Sequence, residues 1–299
     1  MVKVASIDLG SNSTRMLIAN INNGSIDPIL KMYNVTRMGD KLDDGKEISV
    51  DSQKRVISTL AKFFKEINKY GIQNIHIVGT ATLRDASNSQ EFTEKILKKF
   101  GVEVEVISGE EEGILTSLGV LNSLNNIKNY LIVDIGGRST EFIFEKDSNL
   151  KSISLNMGVV SLGEKYFETI PISEDRLNSA ISYIQNKLDQ INIPTEKLLI
   201  GVAGTFSTIG SIYLNQNKFD EKQLHSVELS KKVLDLLTHE ALSMSEAKMI
   251  TKFKSMDPKR SKTIQPGIVL ANQISIKYNV SSIKVSISDI LEGLILKKY

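Results

Sequence analysis

Apolar positions along the chain follow two alternating rhythms. Val2–Leu9 is a near-continuous apolar run that reads as a buried strand, and Met16–Ile21 and Ile26–Tyr33 follow it on either side of turn chemistry at Asn22–Gly24. From Asp51 to Tyr70 the period becomes helical, with Val56, Ile57, Leu60, Phe63, Phe64 and Ile67 on one face. A strand at Ile75–Gly79, a helix at Gln90–Phe100 and a strand at Val102–Ile107 come next. A further helix opens near Ser108, with Ile114, Leu115, Leu118 and Leu121 as its apolar face. The polar, Asn-rich stretch Asn122–Asn129 reads as a linker, after which the pattern restarts. Strands are expected at Tyr130–Ile135, Thr140–Lys146, Leu150–Asn156, Leu198–Val202 and Ile283–Ile287, and helices at Ser173–Ile191, Ser230–Ala241, Ser245–Ser255 and Thr263–Tyr278. Strands alternating with helices over this length predict α/β layers.

The two halves repeat a motif. Ile7-Asp-Leu-Gly-Ser-Asn-Ser-Thr-Arg15 returns 126 residues later as Val133-Asp-Ile-Gly-Gly-Arg-Ser-Thr-Glu141, so Asp8 matches Asp134, Gly10 matches Gly136, Ser13 matches Ser139 and Thr14 matches Thr140. Each copy ends one apolar strand and begins another. Internal repetition is a fold signal, and here it predicts two domains on one plan, 1–124 and 125–287. The run Ser288–Tyr299 is expected to form a helix that returns to the first domain through Ile290, Leu291, Leu294 and Ile295.

Composition narrows the chemistry. The 299 residues are 41% hydrophobic and 24% charged, and the net charge is only +2, so collagen, coiled coil, wholesale disorder and a nucleic-acid coat are set aside. No cysteine is present, which excludes thiol catalysis, disulfide scaffolds and Cys-based metal sites. His76, His225 and His239 are scattered without metal-ligand spacing. No apolar run reaches the ~18 residues of a membrane span, so the expectation is a soluble, cytoplasmic protein without a membrane partner.

Both hairpin loops are rich in Gly, Ser and Thr, and successive backbone N–H groups in such loops form anion-binding nests. Gly10, Gly136 and Gly137 allow close approach of the backbone to a ligand. An Asp at the end of each first strand repels bare phosphate, but it suits a site where Mg²⁺ bridges carboxylate and phosphate oxygens. Asp8 and Asp134 are therefore candidate metal ligands. A third loop, Gly201-Val-Ala-Gly-Thr-Phe-Ser-Thr208, offers Gly204 and Thr205 at a helix start, where phosphate is favoured. There is no Walker A motif and no Rossmann fingerprint. Of only seven arginines, Arg15 and Arg138 lie in the hairpins, Arg84 follows Gly79-Thr-Ala-Thr-Leu, and Arg55 and Arg176 read as solvated helix positions. Guanidinium forks suit phosphate oxygens, so several of them facing phosphate imply a polyanion. Ser108-Gly-Glu-Glu-Glu-Gly113 places three acids in a first helical turn, more than capping needs, and one of them is a candidate general base.

Together, Asp8–Arg15, Gly79–Arg84, Ile107–Gly113, Asp134–Glu141 and Gly201–Thr208 resemble the exopolyphosphatase/guanosine pentaphosphate phosphatase (Ppx/GppA) family, in family order and over nearly the whole chain. The length is similar to that of its short, two-domain members. The resemblance implies an actin-like fold of two duplicated RNase H-like domains around a cleft. It also implies Mg²⁺-dependent hydrolysis of the terminal phosphoanhydride of inorganic polyphosphate, or removal of the 5′-γ-phosphate of guanosine pentaphosphate. By resemblance, Glu112 is the catalytic carboxylate, with Glu111 the competing assignment. Glu141 matches a second essential Glu, and with Asp134 it is linked to metal and phosphate. Asn12, Ser13, Arg15, Gly136 and Ser139 match phosphate-site positions, Arg84 matches a polyanion position, and Ser11, Gly137 and Arg138 complete the loops. The family often forms homodimers.

Two departures stand out. Arg138 replaces the third glycine of the family's second hairpin, and Arg260-Ser-Lys262 replaces its Arg-Ala-Asp segment. Four readings follow: an exopolyphosphatase, a guanosine pentaphosphate phosphatase, a catalytically weak polyphosphate- or alarmone-binding regulator, and an actin-like kinase. The Glu111-Glu112 pair disfavours the kinase, which has no water to activate.

Overall fold

The computed structural model describes residues 2–42, 46–124, 127–147, 149–193 and 198–299. Residues 125 and 126, inside the Asn122–Asn129 linker, lie outside it. The chain divides into two compact units, Met1–Ser123 with Ser288–Tyr299, and Leu124–Ile287.

The first unit contains β1 (Val2–Leu9), β2 (Ser13–Asn22), β3 (Ser25–Val35), α1 (Val50–Lys69), β4 (Asn74–Gly79), α2 (Ala81–Asp85), α3 (Ser89–Phe100), β5 (Val104–Val106) and α4 (Gly109–Ser123), and is completed by the C-terminal helix Ile290–Lys298. Its sheet runs β3-β2-β1-β4-β5. The β1–β2 and β2–β3 pairs are antiparallel, whereas β1–β4 and β4–β5 are parallel. Side chains alternate across β1. Ala5, Ile7 and Leu9 pack on Val56, Leu60 and Phe63 of α1 and Phe92 of α3. Val4 faces the other way and joins Leu17 and Ile21 beneath Leu291 and Ile295 of the C-terminal helix. Ile290 and Leu294 pack with Val78, Ile107 and Leu115. Burying each such side chain contributes about 1.5–3 kcal/mol before entropy is counted.

The buried side of α4 differs from the expected stripe. Ile114 and Leu118 are exposed, whereas Leu115, Thr116, Gly119 and Val120 are buried. Backbone contact selects this side. A Cβ on Gly119 would overlap the Asp289 carbonyl, and one on Gly293 would overlap the Leu115 carbonyl, so the two helices touch at their main chains.

The second unit contains β6 (Tyr130–Ile135), β7 (Thr140–Lys146), β8 (Asn149–Leu155), α5 (Val159–Tyr166), α6 (Glu174–Leu188), β9 (Leu198–Val202), α7 (Ala203–Tyr213), β10 (Glu228–Ser230), α8 (Lys231–Leu242), α9 (Glu246–Lys252), α10 (Ser261–Lys277) and β11 (Ser282–Val285). Its sheet order is β10-β11-β9-β6-β7-β8. Read from β8 inward, the strands β8-β7-β6-β9-β11 reproduce β3-β2-β1-β4-β5 in order and direction, and β10 is an added antiparallel edge. The sequence pattern missed β10, the short α2, and α5, where Gly158 and Gly163 bracket a β-branched pair that reads as loop. The helix α10 is buried along most of its length, and its Gly267 lies against Thr205 and Val159.

Candidate active site

In the first hairpin, Asp8 and Arg15 are register partners, one pair back from the Leu9–Thr14 pair at the turn. The turn closes through Gly10 N–H donating to Ser13 O at 3.1 Å, and a Cβ on Gly10 would sit 2.8 Å from that same carbonyl, so only glycine fits. The loop is braced from below. Asn12 O accepts from Thr36 N (3.0 Å) and Arg37 N (2.9 Å), and Ser11 O accepts from Gly39 N (2.9 Å). Arg55, read from the sequence as solvated, instead donates to Thr36 O at 2.6 Å and to Arg37 O at 3.0 Å. Arg176 likewise is tied to backbone, donating to Tyr166 O at 3.0 Å. The Thr82 hydroxyl donates to Ser11 Oγ (2.7 Å), joining the Gly79–Arg84 segment to the hairpin.

Arg15 is committed to carboxylates. Its Nε and Nη2 donate to Asp8 Oδ2 at 3.0 and 2.8 Å, and Nη1 donates to Asp289 Oδ2 at 2.5 Å. Burial pushes the Asp8 carboxyl up from its ordinary value, and Arg15 opposes that shift. Asp8 Oδ1 and Asn12 Oδ1 are buried and make no hydrogen bond among the described residues.

The three acids of α4 separate by role. Glu110 is exposed. Glu111 forms a capping box: its Oε2 accepts from Ser108 N (3.0 Å) and Ser108 Oγ (3.1 Å), while its own N–H donates to Ser108 Oγ (3.1 Å). These Ser108 bonds hold its carboxyl below the ordinary value. Glu112 is buried, 9% exposed, with Oε2 at 3.5 Å from Arg84 Nη1, and that same nitrogen donates to Ile107 O at 2.8 Å.

The second hairpin repeats the turn hydrogen bond of the first. Gly136 N–H donates to Ser139 O at 3.0 Å, and Asp134 pairs in register with Glu141, where Asp8 faces Arg15 in the first copy. Register partners on an antiparallel ladder share one face, with Cβ atoms ~4.5–5.5 Å apart. Two buried carboxylates thus lie side by side, and Ser154 Oγ donates to Glu141 Oε1 at 2.7 Å. The loop carbonyls are taken by α5: Val159 N donates to Gly136 O (3.0 Å), and Val160 N to Gly137 O (2.6 Å). A Cβ on Gly158 would lie 2.5 Å from the Gly137 carbonyl and 2.6 Å from Arg138 N, which explains the glycine before this helix. Arg138 is neither solvated nor loose. It is 7% exposed, and its Nη1 donates to Glu164 Oε2 at 3.1 Å. The Ser139 side chain is buried in the same loop.

The third loop starts α7. Ala203 takes a left-handed φ of 60°, a strained choice for a residue with a Cβ, of the kind that clusters at functional sites. The Thr205 hydroxyl donates to Ile135 O at 3.0 Å, so any contact of Thr205 with phosphate falls to its main-chain amide. The Arg260 guanidinium occupies the space a Cβ on Gly204 would take. Arg260 is the residue at this loop that the sequence reading left off its candidate positions, although the rarity of arginine and the Arg260-Ser-Lys262 motif both mark it.

Among the described residues, no group of three or more His, Asp and Glu is placed to hold a metal. Mg²⁺ needs only one or two carboxylates beside phosphate and water oxygens, and the Asp134–Glu141 pair fits that demand. No helix among the described residues is long and apolar enough to cross a membrane.

Residues 17–299 match the Ppx/GppA phosphatase family. The guanosine-5′-triphosphate,3′-diphosphate pyrophosphatase of Vibrio cholerae is 34% identical over 79% of this chain and 48% of its own length. A provisional exopolyphosphatase of Haemophilus influenzae is 28% identical over 98% of this chain and 90% of its own length. Among solved structures, a Ppx/GppA family member from Aquifex aeolicus superposes with a TM-score of 0.84 and 28% identity, covering 99% of this chain and 97% of that one. The chain spans about half the length of several curated relatives it matches. The repeated hairpins, the matching strand orders and these likenesses agree: the fold is actin-like, and the chain belongs to the Ppx/GppA phosphatase family.

Proposed function

We propose that the protein is a Mg²⁺-dependent hydrolase that releases the terminal phosphate of inorganic polyphosphate. The observation that carries this reading is the separation of Glu111 from Glu112. Glu111 is spent on the helix cap, while Glu112 is buried beside Arg84 and remains the carboxylate of this helix suited to take a proton from water. In the proposed step, a water oxygen attacks the terminal phosphorus, its proton passes to Glu112, and the bridging P–O bond breaks toward the shortened chain. Phosphoryl transfer is catalysed mostly by positioning and electrostatics. In this reading Gly10–Ser13, Gly136–Ser139 and the start of α7 present main-chain N–H groups to phosphate, and Arg84 holds chain oxygens. Asp134 and Glu141 would hold the cation, with Asp8 as the further candidate. When bound, Mg²⁺ supplies charge neutralisation at the phosphate oxygens.

A second reading, hydrolysis of the 5′-γ-phosphate of guanosine pentaphosphate, is favoured by the Vibrio cholerae relative and uses the same residues. A cytoplasmic setting suits both substrates. Phosphate release from polyphosphate, guanosine pentaphosphate and ATP, with and without Mg²⁺, separates them. The polyphosphate reading expects Mg²⁺-dependent release from polyphosphate at the highest kcat/KM. Faster release from guanosine pentaphosphate selects the second reading, and binding without release selects a regulator.

A further inference from the structure

Asp289 makes three hydrogen bonds, two through its carboxylate and one through its main-chain N–H. Its Oδ2 accepts from Arg15 Nη1 at 2.5 Å, its Oδ1 accepts from Leu291 N at 3.2 Å as the cap of the C-terminal helix, and its own N–H donates to Glu292 Oε2 at 2.9 Å. Glu292 in turn pairs through Oε1 with Lys31 Nζ at 2.8 Å, on the strand next to β2. Asp289 and Glu292 are each 4% exposed. A capping-box carboxylate is fixed by the helix that it caps, so Asp289 presents a stationary acceptor to Arg15. The guanidinium is planar, so with Nη1 on Asp289 its Nε and Nη2 donate together from the other edge onto Asp8 Oδ2. The backbone of the same residue reaches α4, because the Asp289 carbonyl fills the space beside Gly119, on the helix whose first turn carries Glu112.

We propose that Asp289 is a positioning residue that orients Arg15 and, through it, the Asp8 carboxylate, leaving Asp8 Oδ1 as the oxygen available to the reaction. The inference rests on the reading of Asp8 as a residue linked to metal and phosphate. It assigns the C-terminal segment a role in the site beyond covering the sheet. Residues that orient a ligand of the reacting centre without touching it typically change activity or metal affinity ~10–100-fold when altered.

The test uses the full chain and its variants Asp289→Asn, Asp289→Glu and Lys31→Gln. Asn is as good a helix cap as Asp, so Asp289→Asn keeps the helix and removes the acceptor charge facing Arg15. Crystal structures of the wild type and Asp289→Asn read the relationship without reference to turnover. The Arg15–Asp8 pair is expected to break or the Asp8 side chain to change rotamer, and an unmoved pair overturns the inference. In polyphosphate hydrolysis, Asp289→Asn is expected to lower kcat about 10–100-fold with KM within about threefold, and Asp289→Glu to recover part of the loss. Lys31→Gln breaks the neighbouring part-buried pair and lowers thermal stability, and it is expected to hold kcat within about threefold. Equal kcat losses in Asp289→Asn and Lys31→Gln would make Asp289 a fold contact only and overturn the inference. Should Asp289→Asn not fold, Asp289→Glu, which moves the carboxylate by one methylene, carries the same structural and kinetic comparison. A wild type that releases no phosphate from any phosphoanhydride contradicts the hydrolase reading alone, and the crystallographic comparison then decides the role of Asp289.

Discussion

Asp134 stands directly opposite Glu141 on the β6–β7 ladder, at the register position where Asp8 meets Arg15 on β1–β2. One hairpin geometry has thus been given opposite electrostatics. The first copy neutralises its aspartate with a guanidinium at 2.8 Å, whereas the second sets two buried carboxylates side by side. Like charges directly opposite on a ladder are unfavourable, and a divalent cation bound there would relieve that cost.

The pair is expected to report Mg²⁺ binding. In thermal unfolding, added Mg²⁺ should raise the Tm of the wild type, because a ligand that binds only the folded state stabilises it in proportion to RT ln(1 + [L]/Kd). Glu141→Gln and Asp134→Asn should each abolish most of that rise. An undiminished rise in both variants would place the cation elsewhere.

Glu111 should behave as a structural acid. Glu111→Ala is expected to cost about 0.3–1.5 kcal/mol at neutral pH, the usual worth of a cap, and to keep turnover within about threefold. Ser108 holds the carboxyl below its ordinary value of 4.5, so its contribution is full above that pH and is lost as pH falls through the lowered folded value. The stability gap between wild type and variant should therefore narrow below pH 4.5, which denaturant titrations at several pH values would show.

The hairpins were legible in the sequence because their chemistry is local. The 126-residue offset that aligns Asp8 with Asp134 carries through to the same turn hydrogen bond, Gly10 to Ser13 and Gly136 to Ser139. Partners far along the chain were not legible. Glu111 and Glu112 are adjacent, and which of them is buried depends on where α4 packs, a choice made by backbone contact at Gly119 and Gly293. Ile114 and Leu118 were misplaced for the same reason: periodicity finds an apolar stripe but not the neighbour that covers it. Arg138 in the loop gave no sign of Glu164, which sits on a helix whose glycines and β-branched start read as coil. The bond of Arg15 to Asp289 spans nearly the whole chain and has no local signature.

Arg138 and Glu164 should be energetically coupled. A hydrogen bond to a charged group contributes about 1.5–3 kcal/mol, and Arg138 is buried while Glu164 is partly exposed. Arg138→Gly is expected to lower stability by an amount in the lower part of that range. A double-mutant cycle with Glu164→Gln should give a coupling above about 0.5 kcal/mol. Additive losses would show that the pair carries no energy of its own.

Gly119→Ala should be among the most damaging single-methyl additions in the first unit, since the added carbon would overlap the Asp289 main chain and no side-chain rotation relieves it. Overpacking costs about 1–3 kcal/mol where neighbours can shift, and at least the upper end is expected here. Gly101→Ala supplies the contrast. Its φ of 72° strains any Cβ, but no atom lies within 4 Å, so its loss reflects backbone strain alone. Urea midpoints of the two variants would rank them, and an equal or smaller loss for Gly119→Ala would refute close helix contact at that point.

If Glu112 takes the proton of the attacking water, single-turnover release of terminal phosphate from end-labelled polyphosphate in Mg²⁺ must differ sharply between the wild type and Glu112→Gln. Gln keeps the shape of the side chain but cannot take the proton, so the rate is expected to fall about 10²–10⁴-fold while polyphosphate binding is retained. Near wild-type release by Glu112→Gln would show that Glu112 does not take the proton.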